Sequence, residues 1–171
     1  MQVQYNGKNE KLIECVEFIN DLLTLDAFYD EISNHPEFTH LDNGYTPKQI
    51  AEILKADQST IMIKTYKSKW RWSKANAYVS KKYKNTLFYN TRKLWRDPED
   101  IMNTIVHECV HVADHNDNGK TNFGHGDNNS RGKENSAPYW IGALAGRYYE
   151  EEMAEEIEIE AIDIDESLIV D

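Results

Sequence analysis

The sequence predicts an α+β fold in which a small antiparallel or mixed sheet packs on one long helix, beneath an N-terminal helical layer. Three observations carry that prediction. Residues 59–66, 75–80 and 86–91 are rich in β-branched and aromatic residues and are separated by polar, turn-like segments, so they read as antiparallel strands. Residues 9–24 and 46–56 repeat their apolar positions with helical spacing. A third stretch, IMNTIVHECVHVADH, is apolar around most of a helix circumference except for one polar stripe. At 171 residues, 40% hydrophobic and 11% aromatic, the chain can bury a single core and is not wholly disordered.

Taken in order, 9–24 (NEKLIECVEFINDLLT) and 46–56 (TPKQIAEILKA) form the N-terminal layer, the second opening on Thr46-Pro47 as cap and first-turn residue. The strands follow and lead directly into the long helix. Its start is marked by Asp97-Pro98-Glu99-Asp100, with Asp97 as N-cap, Pro98 at the first helical position and acids against the positive end of the dipole. A last helix begins near Pro138 and carries Tyr139, Trp140, Tyr148 and Tyr149, most of them expected in the core. Residues 1–149 read as one domain and 150–171 as an acidic C-terminal tail.

The polar stripe holds His107, Glu108 next to it, His111, Asp114 and His115. In a helix, His107 and His111 lie one turn apart on one face, where both imidazoles can reach a single cation. Glu108 then stands beside that cation and can act as general base toward a metal-bound water. Two histidines leave a zinc site incomplete, so a third ligand is expected downstream. His125 leads, because the flanking residues in Phe123-Gly124-His125-Gly126 let the backbone turn tightly. Glu134 is the alternative, giving a two-His, one-Glu site. Asp117 is disfavoured. His115 lies about 12 Å along the axis from His107, too far to share a cation with it. It fits a cation at the helix C-terminus or an oxyanion donor. Asp114 is expected to accept the free N–H of a ligand imidazole, and Tyr139 is a second candidate for oxyanion stabilisation.

HECVH followed, after an Asn/Gly-rich link, by His125-Gly126 resembles the SprT-like group of zincin metallopeptidases over roughly residues 77–146. The resemblance implies a zincin-like fold, zinc held by His107, His111 and His125, and Glu108 as the catalytic residue. It also implies that an extended peptide adds to a sheet edge within 75–91. The expected activity is hydrolysis of a protein or peptide substrate. Two alternatives stand beside it. One is a non-catalytic, zinc-stabilised binding module, which a site closed by Glu134 or Asp127 would favour; the other is a hydrolase of a small amide or cell-wall peptide, which a deep pocket would favour.

Charge is unevenly spread. Residues 150–171 contain 11 of the 30 Asp and Glu and no Lys or Arg, and the net charge is −11. The tail reads first as a solvated continuation of the last helix or a flexible acidic arm, and second as a strip for a partner or for the chain's own cleft. Such a tail argues against nucleic-acid binding, and Lys69-Trp70-Arg71-Trp72 reads as a packing corner with snorkelling cations. Cys15 and Cys109 are expected as reduced core thiols. No stretch is apolar enough to be a membrane span or a secretory signal, which suggests a cytoplasmic protein unless it leaves by another route.

Overall fold

The structure is a computed structural model describing residues 1–41, 44–70, 72–80, 82–125 and 132–167, with side chains of the last helix described to Glu155. In chain order the elements are β1 (Gln2–Tyr5), α1 (Glu10–Leu22), α2 (Asp26–Ser33), α3 (Pro47–Ala56), β2 (Thr60–Tyr66), β3 (Ala77–Ser80), β4 (Tyr83–Asn90), a short 3-10 turn (Thr91–Lys93), α4 (Pro98–Asn118) and α5 (Ala137–Ser167).

The N-terminal helices form for the expected reasons. Asn9 caps α1, its side chain accepting from the Leu12 N–H, and Leu12, Cys15, Val16, Ile19 and Leu22 make one buried face. Thr46 and Gln49 complete a reciprocal capping box on α3, which buries Ile50, Ala51 and Leu54. Between them lies α2, eight residues without a side-chain cap, burying Phe28, Tyr29 and Ile32.

The sheet is mixed, the second of the two forms expected, and corrects only the reading of its strands as all antiparallel. Its order is β1-β2-β4-β3, with β1 parallel to β2, β2 parallel to β4, and only β3 antiparallel to β4. The chain leaves β2, crosses to the far side to lay down β3, then turns back so that β4 fills the position beside β2. Composition marked the three later strands but carries no direction. The strand β1 was not anticipated, since it is a four-residue segment of mixed polarity. Alternate residues Ile61, Ile63, Leu87 and Tyr89 are buried against the helices, whereas Phe88 and Tyr78 stack at 5.1 Å on the other face.

Both cysteines are free and buried in the core. A bundle of His35, Phe38 and Trp140 rings, with centroids 4.3 to 5.7 Å apart, ties the segment after α2 to the start of α5. Helix α5 runs on through the acidic residues to Ser167, so the tail is helical to that point; its side chains from Glu156 lie outside the described residues. The expected packing corner is not one: Trp70 and Trp72 are 73% and 81% exposed, and Arg71 lies outside the described residues. Among the described residues no helix is long and apolar enough to cross a membrane.

Candidate metal centre

Helix α4 is buried along Ile101, Met102, Ile105, Val106, His107, Cys109, Val110, Val112, Ala113 and Asp114. His107 is therefore held by core packing on both sides. One turn on, the His111 ring lies 5.0 Å from that of His107. The long contact between α4 and α5 is made possible by glycine. A Cβ on Gly142 would come within 2.6 Å of the Asn103 carbonyl oxygen and 3.2 Å of the His107 Cβ, and one on Gly146 within 3.2 Å of the Glu99 carbonyl oxygen. These two glycines let the backbone of α5 lie directly against the helix that carries the histidines.

The third imidazole arrives by a sharp return of the chain. Gly119, in the left-handed region at φ 75°, ends α4 and its N–H bonds the His115 carbonyl at 2.8 Å. The loop is then fastened to the helix it has just left. The carboxylate of Asp114, 1% exposed, accepts from the Asn122 backbone N–H at 2.9 Å, the Asn122 Nδ2 at 3.0 Å and the Phe123 N–H at 3.2 Å. Phe123 is sunk in the core, and Gly124, whose Cβ would meet the Thr121 side chain at 2.7 Å, passes beside His111. His125 follows, its Nε2 3.1 Å from the Nε2 of His107 and 3.0 Å from that of His111.

These distances fit a cation. A ring nitrogen bears either one proton or one lone pair, so the His125 Nε2 can make one good hydrogen bond but faces two neighbours. Three lone pairs aimed at a common ion remove the conflict. Nitrogens about 2.05 Å from a tetrahedral ion lie about 3.3 Å apart, close to the spacing seen. Burial, with the neighbouring His111 and His125, pulls His107 down to about 2, and burial with His125 pulls His111 down to about 4, so both present unprotonated rings. His107 also bonds the backbone of Pro138, whose only polar backbone group is its carbonyl. That bond takes the proton of Nδ1 and leaves Nε2 facing the cluster. His107, His111 and His125, with ligand atoms all within 4.8 Å of one another, could hold a metal ion.

Glu108 projects from α4 toward the open edge of the sheet. Burial pushes its carboxyl up to about 7, while the Val79 backbone N–H draws it the other way. The orientation of that N–H follows from the ladder. The Asn76 carbonyl accepts from the Asn90 N–H at 2.8 Å, so Asn76 and Tyr78 bond inward to β4 and Ala77 and Val79 point outward. Glu108 thus stands at the edge of β3 that no described strand pairs.

Other predicted residues fall differently. Asp114 takes no imidazole proton; it is the latch of the His125 loop, and the Pro138 carbonyl has the role expected of it. His115 lies in the last turn of α4, outside the cluster, with Nδ1 buried and unpartnered. The exposed Glu134 accepts from the Gly132 N–H at 3.2 Å and is not part of the cluster. Asp117 accepts from the Tyr45 hydroxyl, and Asp127 lies outside the described residues. Tyr139, in the first turn of α5, packs edge-on to His107 at 4.4 Å and lies 5.0 Å from His125. Pro138, Val79, Asn122 and Gly142 went unpredicted. Only the Gly142/Gly146 spacing left a trace in sequence, as small residues one turn apart.

No family model, curated protein or solved structure matches the chain.

Proposed function

We propose that the protein is a zinc-dependent metallopeptidase of zincin-like fold, cleaving an extended protein or peptide segment laid along the edge of β3. The observation that carries this reading is the convergence of the His125 ring nitrogen on those of His107 and His111 at 3.0 to 3.1 Å, on the helix whose next residue, Glu108, bonds the Val79 backbone on β3. The donor set favours zinc, for which three imidazoles and one open position are a common catalytic arrangement.

A zinc ion bound there supplies the Lewis acidity that makes water acidic and a carbonyl carbon electrophilic. The chain does the rest. Glu108 takes the proton from the attacking water and delivers it to the leaving amine nitrogen. The Val79 N–H steers that carboxylate, and the Pro138 carbonyl fixes the tautomer of His107. The outward N–H and carbonyl of Ala77 and the outward carbonyl of Val79, whose N–H is taken by Glu108, offer the hydrogen bonds by which an added strand is held in register. Tyr139 buttresses the His107 ring. Glu134, exposed and bonded to Gly132, is not a fourth ligand to the three histidines.

The test is Glu108→Gln, assayed on an unfolded protein substrate with zinc content measured in parallel. We expect about one zinc per chain in both proteins and a loss of turnover of at least 1,000-fold in the variant. Wild-type cleavage by the variant would remove Glu108 from the mechanism, and a zinc-free folded wild type would remove the enzyme.

A further inference from the structure

Between Asp57 and Asp97 the chain carries eleven Lys and Arg and not one Asp or Glu, while the other eight bases share the molecule with all thirty acids. That run is β2, β3, β4 and their connections, the elements that build the edge beside Glu108. Of its described cations only Arg96 is ion-paired, to Asp100 at 2.9 Å. Lys64, Lys67, Lys69, Lys74, Lys82 and Lys84 are exposed. Lys67, Lys69 and Lys74 lie in the connection entering β3, Lys82 at the turn leaving it, Lys84 at the start of β4, and Lys64 on β2 across from Phe88.

The entering connection is fastened near both ends, at Ser68 and Ala75. Asn90, fully buried, accepts from the Ser68 and Arg92 N–H groups and donates to the Ala75 carbonyl at 3.0 Å, and Arg92 Nε donates to the Ser68 carbonyl at 2.9 Å. Trp95, 77% exposed, joins Lys67, Thr91 and Arg92 around a cleft of about 460 Å³.

We propose that this face selects acidic polypeptide segments, binding them in extended form as a strand added to β3. The proposal deepens the metallopeptidase reading by naming its substrate class. Two observations choose a polypeptide among polyanions. On the side of β3 that no described strand pairs, the Ala77 N–H and carbonyl and the Val79 carbonyl point outward, a spacing that only another peptide backbone can pair in register. The rest of the molecule is strongly acidic, which repels a polyanion long enough to leave the cationic face. The lysines also bar two such edges from pairing with each other, so the edge stays open for a chain of opposite charge. Exposed Trp70, Trp72 and Trp95 give apolar surface to the side chains of the segment.

The experiment is fluorescence anisotropy with the full chain bearing Glu108→Gln and three labelled probes. These are a twelve-residue peptide alternating Glu with Val, the same peptide with Gln for Glu, and a twelve-nucleotide single-stranded DNA. We expect the Glu peptide to bind at least 10-fold tighter than the Gln peptide in 50 mM salt and to lose at least 10-fold in 500 mM salt. The exposed triple change Lys69→Glu, Lys74→Glu, Lys84→Glu should abolish the preference, with zinc content as the control for folding. Equal binding of the two peptides, a preference that survives the triple change, or tighter binding of the DNA would each overturn the proposal. Binding is read without turnover, so failure here leaves the hydrolytic reading intact, and failure to hydrolyse leaves the charge preference to be judged on its own.

Discussion

Replacing Asp114 with Ala tests how the third imidazole is held. The carboxylate receives the backbone N–H groups of Asn122 and Phe123 in a site from which water is excluded, together with the Asn122 side chain. Without it two buried backbone donors have no acceptor, at about 1–3 kcal/mol each; the Asn122 Nδ2 keeps its bond to the Asn118 Oδ1 at 3.1 Å. Burial holds the Asp114 carboxyl above its ordinary range, so part of that loss is offset by relief of a desolvated charge. A net cost of about 3 kcal/mol follows. Because the bonds belong to the loop, much of the cost falls on metal binding, and zinc affinity should drop 10- to 100-fold. Asp114→Asn should behave nearly as badly, since its amide turns a donor toward donors. The assays are competition for zinc with a chromophoric chelator and urea unfolding of the metal-free protein. Zinc affinity within twofold of wild type would refute the latch, even if stability fell.

Two further outcomes follow from the same site. His107 and His111 are held at about 2 and about 4 in the folded chain, below the ordinary 6.5 they regain on unfolding. The unfolded state therefore binds more protons in that interval, and stability falls as pH drops from about 6.5 toward 4. Between pH 7 and 5.5 the chelator-treated protein should lose about 2 kcal/mol in urea, and His111→Asn about half as much; a pH-independent midpoint would show the rings are not buried neutral. Gly142→Ala should destabilise by about 1–3 kcal/mol, because its Cβ would press on the Asn103 carbonyl. The same change on an unobstructed helix face stabilises by up to about 1 kcal/mol, so a raised melting temperature would refute the contact.

Much of this site was legible because its signals are local. A His-x-x-x-His spacing, a helix start at Asp97-Pro98, a capping box at Thr46 and a glycine-flanked histidine are all written within a few residues of where they act, although the Asp97 side chain makes no capping bond. What escaped depends on partners distant in sequence. The direction of β2 against β4 is decided by how residues 67–82 are routed, which the polarity of neither strand records. Asp114 reads as an imidazole acceptor from helix geometry alone, and only the folded-back loop shows that its partners are Asn122 and Phe123. The tryptophans after β2 look like core residues by type, yet Asn90 holds their loop outside the sheet.

The layout of the sheet gives the centre and the scaffold different histories. Gln2 finds its partner at Thr60, across three intervening helices, and β4 reaches β2 only after β3 has been set aside. Those pairings close long loops and are slow to form. His107, His111 and His125 lie within a sequence separation of 18, on one helix and the turn that ends it. An ion meeting a half-folded chain can therefore gather its ligands before the sheet is complete, anchoring α4 as a fixed surface on which the slower strands assemble.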